Sequence, residues 1–130
     1  MRKAITLALV AAGLAATPAL AHHSGAMFDG TKEVTLKGTI KTVQLTNPHS
    51  WIQIMAPDAN GKMVEWSLEA AAPTVLVRGG INKASFKPGD QVTARGHPLK
   101  DGRPGANLID IVTAKGEVLP RKNGGGGGYE

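Results

Sequence analysis

The stretch EVTLKGTIKTVQLT, residues 33–46, decides the fold. Val34, Leu36 and Ile40 share one parity, and Val43 and Leu45 share the other. Apolar residues at alternate positions mark a half-buried strand. The change of phase near Lys41-Thr42 predicts a bulge, so that one long strand curves. Gly38 eases the bend.

Working outward, Asn47-Pro48 reads as a turn, and residues 50–56 (SWIQIMA) as a second strand. The loop Pro57-Asp58-Ala59-Asn60-Gly61 carries Asn-Gly, a strong hairpin signal. Residues 62–69 form a third strand, with Val64, Trp66 and Leu68 inward and Met63, Glu65, Ser67 and Glu69 outward. Residues 70–80 break the alternation. Pro73 suits the first position of a short helix, and Gly79-Gly80 its end. After the turn Lys87-Pro88-Gly89, residues 90–97 form a fourth strand with Val92 and Ala94 inward. Asp101 to Gly105 is a tight loop, residues 106–114 a fifth strand, and Glu117-Val118-Leu119 a short edge piece. Three strands, a short helix and two more strands, with the first strand long and bent, match an all-β, five-stranded OB-like barrel. An open five-stranded sandwich is the alternative.

The chain has 130 residues, enough for one domain. It opens with Met1-Arg2-Lys3, continues apolar from Ala4 to Ala16, and reaches Ala19-Leu20-Ala21. That is the order of a secretory signal: positive end, apolar run, Ala-x-Ala cleavage site. The run falls short of the ~20 residues that span a bilayer. Residues 1–21 are therefore expected to be removed. What remains is an OB-like domain over 22–120 and a Gly-rich, disordered tail over 121–130, in the periplasm or secreted, with no membrane span.

Arg2 and Lys3 leave with the signal, so 13 basic residues face 10 acidic ones. The basic residues are scattered singly, which reads as a solvated surface and not as a nucleic-acid patch. There is no cysteine, so neither a disulfide nor a thiol nucleophile is available. Residues 22–32 (HHSGAMFDGTK) form a polar arm, tied to the domain through Met27 and Phe28. With two glycines, the arm is not expected to be helical.

The mature chain has four histidines: His22, His23, His49 and His97. Cleavage after Ala21 gives His22 a free α-amine. An N-terminal histidine then offers two nitrogens, its amine and its ring Nδ1, to one metal ion. A further imidazole makes a T-shaped set, the histidine brace. Nitrogen donors in a tetragonal arrangement suit Cu(II). The amine, with a reference pKa of about 7.7, loses its proton readily under a bound cation. The precursor has no such amine, so loading would be confined to the exported form. His49, behind Pro48, and His97, before Pro98, flank loops and are candidates for the third nitrogen. His23 binds metal beside His22 or supports it.

Glu69 is a further candidate oxygen ligand or support, although with Glu65 it reads as part of a solvated face. Trp51 and Trp66 read as core or as cover for a barrel face. Stacking of a base or sugar on Trp51 is weakly supported, because only five aromatic residues follow the cleavage point. His49 and Ser50 point to opposite faces of an extended segment and make no catalytic pair.

The motifs Ala21-His22-His23-Ser24-x-Ala26-Met27-Phe28-Asp29, Asn47-Pro48-His49-Ser50-Trp51, Trp66-Ser67-Leu68-Glu69, Lys87-Pro88-Gly89-Asp90-Gln91-Val92 and Gly96-His97-Pro98-x-x-Asp101-Gly102 resemble those of a family of small exported bacterial proteins known as a domain of unknown function. The resemblance covers roughly residues 21–119. It implies an exported β-barrel and supplies no activity. In site logic alone, the brace is similar to periplasmic copper carriers and lytic polysaccharide monooxygenases. Three readings follow. The first is a non-enzymatic, exported copper-binding protein whose partners are the metal ion and a periplasmic protein. The second is a metal-free barrel that binds a glycan, peptide or protein. The third is a copper oxidase or monooxygenase, against which stand the short chain and the lack of a broad aromatic face.

Overall fold

The computed structural model describes residues 24–122. Six strands form: β1 (Val34–Gln44), β2 (Ser50–Pro57), β3 (Met63–Ala70), β4 (Gln91–Pro98), β5 (Gly105–Thr113) and β6 (Val118–Leu119). A short α-helix, α1 (Pro73–Arg78), lies between β3 and β4. β1 pairs antiparallel with β2 and with β4, β2 with β3, and β4 with β5. A parallel pairing of β3 with β5 closes the ring. The circuit β1-β2-β3-β5-β4 is a closed, OB-like barrel. Closure satisfies strand edges that an open sandwich would leave bare.

β1 serves both halves because it bends. Val34–Thr39 pairs with β4, Thr39–Gln44 pairs with β2, and the register slips between Ile40 and Thr42. That slip is the phase change in the sequence. Leu36 and Ile40 are buried before it, and Val43 and Leu45 pack on the core from around and beyond it. Gly38 has a sharper reason than bending. A Cβ there would stand 2.1 Å from the Met55 carbonyl oxygen, so the backbones of β1 and β2 meet too closely for any side chain.

Ile52, Ile54, Leu68, Ala94 and Ile111 fill the barrel, and Leu76 of α1 is buried with them. Each large aliphatic side chain so buried contributes about 1.5–3 kcal/mol. Trp66 joins this core and donates its indole N–H to the Pro57 carbonyl at 3.2 Å. Pro73 opens α1, and Gly79 ends it by donating to the Val75 carbonyl. Among the described residues, no helix is long and apolar enough to cross a membrane.

Three expectations need correction. Ser24–Met27 forms a single 3-10 turn, closed by the Phe28 N–H on the Gly25 carbonyl. The glycine penalty weighs against a long α-helix, and one tight turn tolerates it. Of the apolar pair in the arm, Phe28 is buried and bridges to Leu99, whereas Met27 is exposed. Arg121, assigned to the disordered tail, donates its backbone N–H to the Gly79 carbonyl at 2.8 Å and pairs with Glu117. Residues 1–23, which include the segment read as a signal, and residues 123–130 lie outside the described residues.

Replacing Gly38 by alanine is expected to cost about 1–3 kcal/mol through forced backbone displacement. Urea denaturation measures it, and an unchanged midpoint would contradict the close approach.

Candidate metal centre

Closure of the barrel sets one row of residues side by side. His97 on β4 is paired with Asn107 on β5, Asn107 with Glu69 on β3, and Glu69 with Trp51 on β2. Strands stand about 4.8 Å apart, so His97 and Glu69 are roughly 10 Å apart along the row. Residues in one row of a sheet share a face, and Leu68 and Ala70, which flank Glu69, are core residues.

Glu69 thus has the outward parity read from the sequence, yet it is 1% exposed. The expectation of a solvated carboxylate is wrong. Alternation assigns a face but says nothing of what covers it. Here β2 and β5 flank β3 at this position. Glu65, its companion on the same face, is exposed and paired with Lys41, as a surface acid should be.

A buried carboxylate costs several kcal/mol unless a cation or donors compensate it. Oε1 of Glu69 has no hydrogen-bond partner among the described residues. It lies 3.5 Å from Nδ1 of His49, whose side chain is 31% exposed. The His49 backbone is fixed immediately before β2: Thr46 Oγ1 donates to its carbonyl at 2.7 Å. Ser50 follows with its side chain buried on the opposite face, as read. An imidazole backed through one nitrogen by a carboxylate is a common form of a metal-binding histidine.

His97 is held differently. Its Nδ1 is 2.7 Å from the Lys32 carbonyl. A carbonyl accepts only, so Nδ1 carries the hydrogen, and the neutral ring keeps its lone pair on Nε2. Trp51 is half-buried beside Glu69.

The arm enters this same region. Asp29 donates its N–H to the Pro98 carbonyl at 2.8 Å, and Lys100 donates to Met27. Leu99 packs on Gly105, which pairs with Ser67, two residues from Glu69. Hydrogen bonds from the Thr31 hydroxyl and N–H, aided by Lys32, hold the Asp29 carboxyl below its ordinary value. A similar clasp from Arg103 lowers Asp101, and Asp110 raises Arg95.

His22 and His23 lie outside the described residues. Among the described residues, no group of three or more histidines and carboxylates converges as a metal-binding set, so His49 and His97 do not form one alone. Asn107 and Leu99 escaped the sequence reading, because their importance rests on the β3–β5 pairing and on the docking of the arm, which leave no local signal.

A family model described as a family of unknown function (DUF6152) matches residues 9–107. No curated protein matches the chain. Among solved structures, the mitochondrial single-stranded DNA binding protein Rim1 of S. cerevisiae is similar, with 11% identity, 69% of this chain and 96% of that chain covered, and a TM-score of 0.45.

Two outcomes are expected. Glu69→Met should leave the fold as stable or raise its stability by about 1–2 kcal/mol in urea, because it replaces a buried carboxyl whose Oε1 has no hydrogen bond by an apolar side chain. A large loss would make Glu69 a structural residue. For Asp29, a lowered carboxyl stabilises the arm above the ordinary value of 3.8, and that stabilisation is lost as the pH falls through Asp29's own, lower value. The Thr31 amide resonance should therefore titrate with a midpoint below 3.8, and a midpoint above it would contradict the clasp.

Proposed function

The chain belongs to DUF6152, a family of unknown function, and from its own residues we propose that it is an exported, non-enzymatic copper-binding protein. In this reading the signal is cut after Ala21, and the amine and Nδ1 of His22 bind Cu(II). His49 supplies the third nitrogen from its Nε2. His23 stands next to the chelate and Glu69 behind His49.

The observation that carries the reading is the pair His49–Glu69. A buried carboxylate with an unpartnered oxygen lies 3.5 Å from one nitrogen of a partly exposed imidazole. Cation binding at the other nitrogen would offset the cost of that burial. The choice of His49 over His97 rests on this carboxylate. His97 has only a carbonyl behind it.

Reach also supports the reading. Five residues separate His22 from Phe28, and since Ser24–Met27 is a 3-10 turn, the stretch spans at most about 15 Å. From Phe28 the path runs through Leu99 and Gly105 to Ser67, each step a direct contact or pairing, and Ser67 lies two residues before Glu69 on β3. The expectation of a protein partner in the periplasm belongs to the same proposal, since a carrier must receive and hand on its ion.

The test is Cu(II) EPR and affinity for the chain beginning at His22, beside one that keeps Ala21. The extra residue should abolish the amine–imidazole signature and weaken binding. Glu69→Gln should weaken it roughly 10–100-fold. Equal affinity with and without Ala21 would overturn the brace.

A further inference from the structure

Sulfur donors are scarce in this chain. It has no cysteine and four methionines, so thioethers are its only soft ligands. Two of them stand together on the barrel wall. Met55 of β2 is paired with Glu65 of β3, and Pro57 with Met63. Ile54, Ala56 and Trp66 belong to the core, so Met55, Glu65 and Met63 share the outer face. Met55 and Met63 are therefore diagonal neighbours, with Cα atoms about 7–8 Å apart, a separation that long side chains bridge.

Neither methionine belongs to the core. Met63 is 54% exposed and Met55 is half-buried. An apolar side chain left in water forfeits the free energy its burial would provide. Three rotatable bonds let each thioether turn toward the other. The surroundings select among ions. Glu65, the acid beside the pair, is engaged by Lys41, so it is not free for a hard cation. His49 lies six positions from Met55 along β2, about 20 Å away, so its imidazole stays with the nitrogen site. Two thioethers on a wall of balanced charge suit a soft, monovalent ion.

We propose that Met55 and Met63 chelate Cu(I), or Ag(I) in its place, between their two sulfurs. The site goes beyond the Cu(II) reading and uses no atom of the nitrogen centre. It gives the reduced ion a place of its own, as the nitrogen donors give one to the oxidised ion.

Ag(I), which keeps its oxidation state in air, is the probe. It is titrated into the chain beginning at His22, with carbon-13 in the methionine methyl groups and imidazole in the buffer to compete for nitrogen-bound ion. At one equivalent the methyl resonances of Met55 and Met63 should shift together. Met27 is the control: it is 44% exposed on the arm, where no other methionine lies, so its methyl should stay in place. Met55→Leu and Met63→Leu, which nearly conserve volume, should each weaken Ag(I) binding roughly 100-fold, because one arm of a chelate is lost. Far-ultraviolet circular dichroism and the Cu(II) EPR signal should be unchanged in both. Retention of Ala21 should leave Ag(I) binding as it is, whatever becomes of Cu(II). A shift of Met27 as large as those of the pair, a shift of one member alone, or wild-type affinity in either leucine variant would overturn the proposal. So would loss of Ag(I) binding in the chain that keeps Ala21, because the ion would then sit at the N-terminus.

Discussion

Three residue pairs hold the ring shut: Ser67 with Gly105, Leu68 with Ala106, and Glu69 with Asn107. This short parallel seam is the only parallel contact among the described strands. It joins segments almost forty residues apart in sequence, so it forms at a cost in chain entropy that local pairing does not carry. Its inner residues, Leu68 and Ala106, belong to the core. Its outer residues set the carboxylate of Glu69 between two neighbouring strands. One pairing therefore serves both stability and the candidate site.

The seam also explains why a polar group is tolerated where it is. An ionised carboxylate on an open sheet face would be hydrated and inert. At the seam it loses water, and its unpartnered oxygen faces an imidazole across 3.5 Å. The low effective dielectric of such a position strengthens any cation's pull on it. The arm, which docks on the β4–β5 loop through Phe28 and Leu99, brings the start of the described chain to the same end of the barrel.

Much of this was legible because the rules involved are local. The phase change at Lys41-Thr42 showed the bulge in β1, since side-chain parity flips with every residue. Pro73 and Gly79-Gly80 framed α1 because each fits one end of a helix. His49 and Ser50 were assigned to opposite faces by the same alternation. The burial of Glu69 was not legible. It depends on β5 lying against β3, and no pattern within residues 62–69 records that. The turn at Ser24–Met27 leaves no such signal, because glycine counts against an α-helix while a single 3-10 turn asks less of the backbone. The four histidines were visible as candidates, but their sequence spacing could not show that His49 has a carboxylate behind it and His97 a carbonyl.

Anomalous diffraction at the copper edge, from crystals of the chain prepared to begin at His22 and loaded with one equivalent of Cu(II), tests the proposed site most directly. The account predicts one peak within bonding distance of the backbone nitrogen and Nδ1 of His22 and of Nε2 of His49, with Glu69 behind the His49 ring. A peak at His97 alone, or density in which the chain does not start at His22, would contradict it.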